Sequence, residues 1–276
     1  MILLLDIGNT HTHLGLADRR RVVRRSNLLT ATWFDRRAGH RATKFVAHAT
    51  LEGVALCSVV PEATAHARRW VQRQWRLAPL ELTAKTVCGV GIDYPRPETI
   101  GPDRLANSVA VKHHFGAPAI VVDFGTAVTF DVVNREGSYV GGIIAPGLAA
   151  MTEYLHEKTA LLPKIKIREP RALIGKNTEE AMLIGAVQGY RGLVRELLLE
   201  LKAALRVKRL PVIATGGYAE LIASRMPEIM KVDPLLTLEG LRLVWEAQCG
   251  RRLYTQRQKR RRVRRRGVQV PVGRVP

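Results

Sequence analysis

Two short stretches carry residue types suited to phosphate chemistry. The first, Asp6-Ile7-Gly8-Asn9-Thr10-His11-Thr12, directly follows the apolar run Ile2–Leu5. A glycine in a tight turn lets backbone N–H groups come close to an anion. The Thr10 and Thr12 hydroxyls and the Asn9 amide can add donors. Asp6 cannot hold a phosphate itself, but it can hold a magnesium-bound water or orient the loop. The second stretch, Asp123-Phe124-Gly125-Thr126-Ala127, ends the apolar run Ala119–Val122 and repeats the logic with fewer polar side chains. One copy alone reads as an ordinary hairpin turn. The pair is more specific, because two facing glycine loops can clamp the β- and γ-phosphates of ATP from both sides. Neither loop is a Walker loop or a dinucleotide fingerprint.

A third candidate is Gly101-Pro102-Asp103-Arg104, at the start of a predicted helix. Arg104 can grip a carboxylate in bidentate fashion, and Asp103 can take a proton from an attacking hydroxyl. Aspartate is also a preferred helix N-cap, and spacing alone favours the cap. Thr215-Gly216-Gly217-Tyr218 suits the wall of a nucleotide pocket or a plain strand–helix turn. Gly141-Gly142-Ile143-Ile144-Ala145-Pro146-Gly147 implies close backbone packing. The histidines His11, His13, His113 and His114 lack zinc spacing and read as solvated or locally bonded.

The elements that position these residues repeat. A strand, an Asp-x-Gly turn, a strand, a turn and a strand occur near Ile2–Arg25 and again near Ala119–Ile144. The aspartates Asp6 and Asp123 lie 117 residues apart. This is the pattern of an internal duplication with two facing lobes. Between and after the copies, strands at Val54–Val59 and Val212–Ala214 alternate with helices at Pro61–Trp75, Asp103–Phe115, Ala181–Leu205 and from about Leu238 to Gln248. The alternation predicts an α/β fold with residues 1–117 as one lobe and 118–250 as the other.

The chain has 276 residues, 46% hydrophobic and only 5% aromatic, so its core must be built from Leu, Val, Ile and Ala. Three scattered cysteines, Cys57, Cys88 and Cys249, fit a reducing compartment better than a disulfide framework. The N-terminal apolar run is too short for a secretory signal, and no run is long enough to span a bilayer. A soluble cytoplasmic protein without membrane contact is expected. The net charge is +20, and residues 251–276 hold eleven Arg and Lys with no Asp or Glu, more than half of that excess. They read as a disordered basic tail, with nucleic acid a partner only through it.

Together these motifs resemble the type III pantothenate kinases. The ordered set is Asp6–Thr10, Ser58-Val59-Val60-Pro61, Gly101–Arg104 with Leu105-Ala106-Asn107, Asp123–Thr129 with Gly141–Gly147, Gly175-Lys176-Asn177-Thr178, Ala214–Gly217 and Leu236–Leu241. The resemblance implies a duplicated ribonuclease H-like fold of the actin/hexokinase/Hsp70 ATPase type. It implies phosphorylation of pantothenate by ATP, the first step of coenzyme A synthesis. ATP is then expected at Asp6, Ile7, Gly8, Asn9, Thr10, His11, Thr12, His13 and Thr126, and pantothenate at Tyr94, Gly101, Pro102, Asp103, Arg104 and Thr178. The resemblance makes Asp103 the proton acceptor. Asp123 is expected to hold a potassium or ammonium ion, with Mg2+ arriving on ATP, in a homodimer. The rival reading is a non-catalytic regulatory or nucleic-acid-associated factor of the same fold.

Overall fold

The computed structural model describes residues 1–35, 37–207 and 210–249. The predicted basic tail lies outside the described residues. Two mixed sheets carry the fold. The first runs β3 (Val22–Leu29), β2 (His11–Ala17), β1 (Ile2–Ile7), β4 (Gly53–Ser58), β5 (Leu80–Glu81). The second runs β11 (Lys231–Val232), β10 (Val212–Thr215), β7 (Ala119–Phe124), β8 (Ala127–Val133), β9 (Ser138–Pro146), β6 (Gly91–Ile92).

The sheets repeat one wiring. β1, β2 and β3 form an antiparallel meander, and β4 then returns parallel to β1. β7, β8 and β9 do the same, and β10 returns parallel to β7. Both β1 and β7 are buried at every position except their aspartates, Asp6 and Asp123, which are half-buried. A strand buried on both faces reads as a continuous apolar run, which is what Ile2–Leu5 and Ala119–Val122 are. β6 precedes residue 117 yet hydrogen-bonds to β9, so the second sheet takes a strand from the N-terminal side of that point.

Alternate residues of the central strands feed different cores. Ile2 and Leu4 point into a layer between the sheets, which Ala119 and Val121 enter from the other side. Helix α3 (Pro102–Phe115) and a last helix, α7, over 236–249 fill that layer through Leu105, Val109, Leu241 and Trp245. Leu3, Leu5 and Ile7 pack outward against α1 (Arg37–Val46) and α2 (Pro61–Trp75). Ile120, Val122 and Phe124 pack outward against α5 (Thr178–Ala204), with α4 (Leu148–Lys158) and α6 (Ala219–Ala223) on the same side. The two inner helices cross closely: a Cβ on Gly240 would lie 2.0 Å from the Ala106 carbonyl oxygen. Glycine is required there by contact with backbone.

Several predicted limits shift. α5 begins at Thr178, ahead of the predicted Ala181, and β4 ends at Ser58, one residue short of the predicted Val59. α1 is not among the predicted elements, although Ala38, Ala42 and Val46 recur at helical spacing and are buried; β5 and β6 are too short to carry a periodic signal.

Candidate functional site

The turn between β1 and β2 holds Gly8, Asn9 and Thr10, closed by Gly8 N–H donating to the His11 carbonyl at 2.9 Å. The turn between β7 and β8 is Gly125 and Thr126, closed by Gly125 N–H to the Ala127 carbonyl at 3.1 Å. The two turns meet. Thr10 Oγ1 and Thr126 Oγ1 lie 3.0 Å apart, across 116 residues of chain. A cleft behind them is lined by Asp6, His13, Asn27, Asp123, Gly216 and Thr237, with residues from both sheets.

The neighbouring strands shape this cleft. On the first side Cys57, buried on β4, donates its thiol to Asp6 Oδ1 at 3.3 Å. On the second side Gly216 follows β10 with φ +93°, and a Cβ there would lie 2.5 Å from Asp123 Oδ1. Only glycine satisfies both conditions. His13 Nδ1 pairs with Asn27 Oδ1 at 2.9 Å along the rim. The Thr12 hydroxyl departs from the expected phosphate donor. It is fully buried, bonded to Thr30 Oγ1 at 3.0 Å and accepting from Trp33 Nε1 at 3.1 Å. The period of a strand turns it away from the face that His11 and His13 occupy. Ile7 is likewise buried and offers the cleft only backbone.

The Gly101-Pro102-Asp103-Arg104 segment begins α3. Gly101 is the N-cap and Pro102 the first helical residue, so Asp103 lies inside the first turn and is not the cap. Asp103 Oδ1 accepts from the Arg104 N–H at 2.9 Å. Arg104 Nε donates to Asp131 Oδ1 at 2.5 Å, and Nη2 to the Phe130 carbonyl at 3.1 Å. Its guanidinium lies 5.6 Å from the Tyr139 ring, which meets Tyr94 edge-on at 5.9 Å. The structure therefore gathers Tyr94, Asp103 and Arg104 beside the cleft. Thr178 is exposed at the first position of α5, whose N-cap Asn177 accepts from Glu180 N–H.

Asp131 and Tyr139 were not among the predicted site residues. Asp131 is fully buried in a strand of Val, Phe and Thr. A lone carboxylate in such a strand must have a buried partner, and that was the available signal.

Four carboxylates, Asp6, Asp103, Asp123 and Asp131, influence one another across this site. Burial pushes Asp6 up to about 6; Asp103 adds to the rise, while His13 and the Cys57 hydrogen bond oppose it. Burial pushes Asp123 up to about 7, and Asp103, Asp6 and Asp131 raise it further against the Asn107 hydrogen bond. Asp103 is also raised by burial, against its bond to the Arg104 N–H. Burial lifts Asp131 too, with Arg104 pulling it down. A crowd of buried carboxylates is costly when empty and attracts cations.

A duplicated ribonuclease H-like fold, with one glycine turn from each half closing on a shared cleft, defines an ATPase-fold kinase of the actin/hexokinase type. The fold is similar to a structure from Campylobacter jejuni described as a Baf-family transcriptional activator (TM-score 0.58, 18% identity, 90% of this chain and 99% of that one). It is also similar to one from Sinorhizobium meliloti described as a 2-dehydro-3-deoxygalactonokinase (TM-score 0.55, 14% identity, 90% and 96%). The family model for type III pantothenate kinase matches residues 2–200. A type III pantothenate kinase of Akkermansia muciniphila is 44% identical over 241 residues, covering 87% of this chain and 96% of that protein. The chain belongs to the type III pantothenate kinase family.

Proposed function

We infer that the chain transfers the γ-phosphate of ATP to the terminal hydroxyl of pantothenate, the first step of coenzyme A biosynthesis. The observation that carries the site assignment is the placement of Asp103, at the start of the helix between the sheets, next to the carboxylates of both glycine turns, with Arg104 beside it. Asp103 takes the hydroxyl proton, the freed oxygen attacks the γ-phosphorus, and ADP leaves. Its raised pKa makes it a better base than an ordinary aspartate. Arg104 and Tyr94 hold pantothenate, with Gly101 and Pro102 shaping the start of α3. The N–H groups of the turn residues Asn9 and Thr10, the Thr10 hydroxyl and Thr126 hold the phosphates. Positioning and charge neutralisation supply most of the rate in such transfers.

Asp123 suits a weakly held monovalent cation. Its donor set is a single carboxylate against the backbone of Gly216, and among the described residues no group of three or more His, Cys, Asp or Glu is arranged to hold a metal. Potassium or ammonium there would offset charge beside the phosphates, and Mg2+ would come with ATP.

Two further readings concern assembly. Ile144, Tyr154, Leu161, Leu173 and Ile174 are large apolar side chains between 62% and 89% exposed, clustered in sequence around α4 and ahead of Thr178. Such exposure favours a homodimer covering this surface, with Thr178 at its margin. Leu173→Glu should shift the mass seen by light scattering from dimer to monomer. No described helix is long and apolar enough to cross a membrane. Nucleic-acid contact is assigned to 251–276, and deleting them should abolish salt-sensitive RNA retention.

The central test is ADP release by pure protein with ATP and pantothenate, with and without potassium, against other small hydroxy acids. Pantothenate should be preferred and potassium should stimulate. Equal turnover of unrelated hydroxy acids would overturn the substrate.

A further inference from the structure

The side chain of Asn107, on α3, is fully buried, and its hydrogen bonds among the described residues go to groups of this site. Its Oδ1 accepts from Thr237 Oγ1 at 2.8 Å. Thr237 lies in the first turn of α7, 130 residues away, and lines the cleft. The two carboxylates on the far side of the amide take N–H donors, so the amide turns its oxygen, which only accepts, to the Thr237 hydroxyl. The two N–H bonds of Nδ2 are then aimed at Asp123 Oδ2 (3.3 Å) and Asp131 Oδ2 (3.5 Å). The other oxygen of Asp131 holds Arg104 Nε, and Arg104 Nη2 is held by Phe130. No hydrogen bond among the described residues uses Arg104 Nη1, which is left for a substrate anion.

We propose that Thr237 is a positioning residue: it fixes the Asn107 amide, and through it sets Asp123 in the cleft and, by way of Asp131, the Arg104 guanidinium. The physical reason is the expense of an orphaned buried acceptor. Without the Thr237 hydroxyl, Asn107 Oδ1 has no partner in a closed pocket, and the amide must rotate to find one. Rotation withdraws N–H donors from two carboxylates at once. Asp131 then loses the bond that holds its second oxygen, and Arg104 loses a fixed anchor. Thr237 touches the nucleotide side of the cleft, so one chain of hydrogen bonds ties both substrate subsites to α7.

The inference rests on Arg104 as the pantothenate-binding residue, and the test separates the two. Thr237→Val keeps the shape and removes the hydroxyl; Thr237→Ser keeps the hydroxyl. Thr237→Ala serves if valine crowds the amide. Each is compared with wild type for kcat and for KM of pantothenate, in the full chain, alone and with Arg104→Gln. The valine or alanine variant should raise the pantothenate KM about tenfold, the worth of one orienting hydrogen bond. Serine should restore it to within about twofold. In the Arg104→Gln background the Thr237 substitution should be nearly silent on that KM, because coupled residues are non-additive. Equal impairment by serine and valine, or full additivity with Arg104→Gln, would overturn the positioning role. If Arg104→Gln alone leaves the pantothenate KM unchanged, the assignment of Arg104 fails instead.

Discussion

The two glycine turns are copies built on one scaffold, and they differ where chemistry differs. The strands that lead into them share a burial pattern, with a half-buried aspartate one residue before the end. Beyond that point they diverge. The first turn spends three residues, 8–10, on its reversal and offers Asn9 and Thr10. The second spends two, 125–126, and offers only Thr126. Asp6 faces a small thiol, Cys57, whereas Asp123 faces an amide and a glycine held at positive φ. Asp123 also sits nearer the crowd of carboxylates and carries the higher pKa, about 7 against about 6. The repeated wiring sets the position of both carboxylates, and their neighbours differ. The donor-rich turn suits phosphate, and the crowded one suits a cation.

Asp103 belongs to neither copy, and removing it gives the largest expected effect. Asp103→Asn should lower kcat about a thousandfold, the middle of the range for a lost general base, with the ATP KM little changed. Burial raises Asp103 above its ordinary value of 3.8. It is therefore protonated, and kcat/KM falls, as pH drops through that raised pKa. The acid limb of the wild-type profile should lie above the ordinary aspartate range and vanish in the asparagine variant. Turnover within tenfold of wild type would remove Asp103 from the mechanism.

The division between the copies is tested next by parallel asparagine variants. Asp123→Asn should cost about a hundredfold in kcat and abolish the response to potassium. Asp6→Asn should also lower kcat but keep a clear potassium response. If both variants respond alike to potassium, the copies are not specialised as described. Thr10→Val and Thr126→Val sharpen the comparison further. The hydroxyls touch across the cleft, so each loss should raise the ATP KM about five- to tenfold. The double variant should raise it by less than the product of the two, because they are in contact.

The copies were legible in the sequence because each is a short apolar run broken by Asp-x-Gly, a signal that needs no long-range contact. α2 was legible from its N-terminal proline and α3 from the helical spacing of Leu105 and Val109. What was not legible depends on contacts between distant segments. Asp131 looks like a stray charge in a strand until Arg104, 27 residues earlier, is placed against it. The inward turn of Thr12 depends on Thr30 and Trp33, both on a segment with no periodic pattern. The two-residue strands β5 and β6 are too short to show any period. Strand β6 joins the second sheet because the chain crosses between lobes before α3, a matter of topology that local propensity does not record.

The smallest predicted effect concerns stability, and it tests whether the first carboxylate is a liability in the empty cleft. Burial raises Asp6 from 3.8 to about 6. A carboxylate raised on folding favours the folded state only while it is protonated. Its contribution is fully present below pH 4 and is lost as pH rises through about 6. Above that, the ionised side chain costs the unliganded protein stability, and an asparagine of the same shape does not. Asp6→Asn should match wild type in denaturant unfolding at pH 4 and exceed it by about 1–3 kcal/mol at pH 8. The gap should narrow when ATP and magnesium are added, since the bound cation then offsets the charge in the wild-type protein. A gap of the same size at both pH values would mean that the substitution acts through packing around Cys57. The cost of the first aspartate would then be steric, and the electrostatic contrast between the two copies would rest on Asp123 alone.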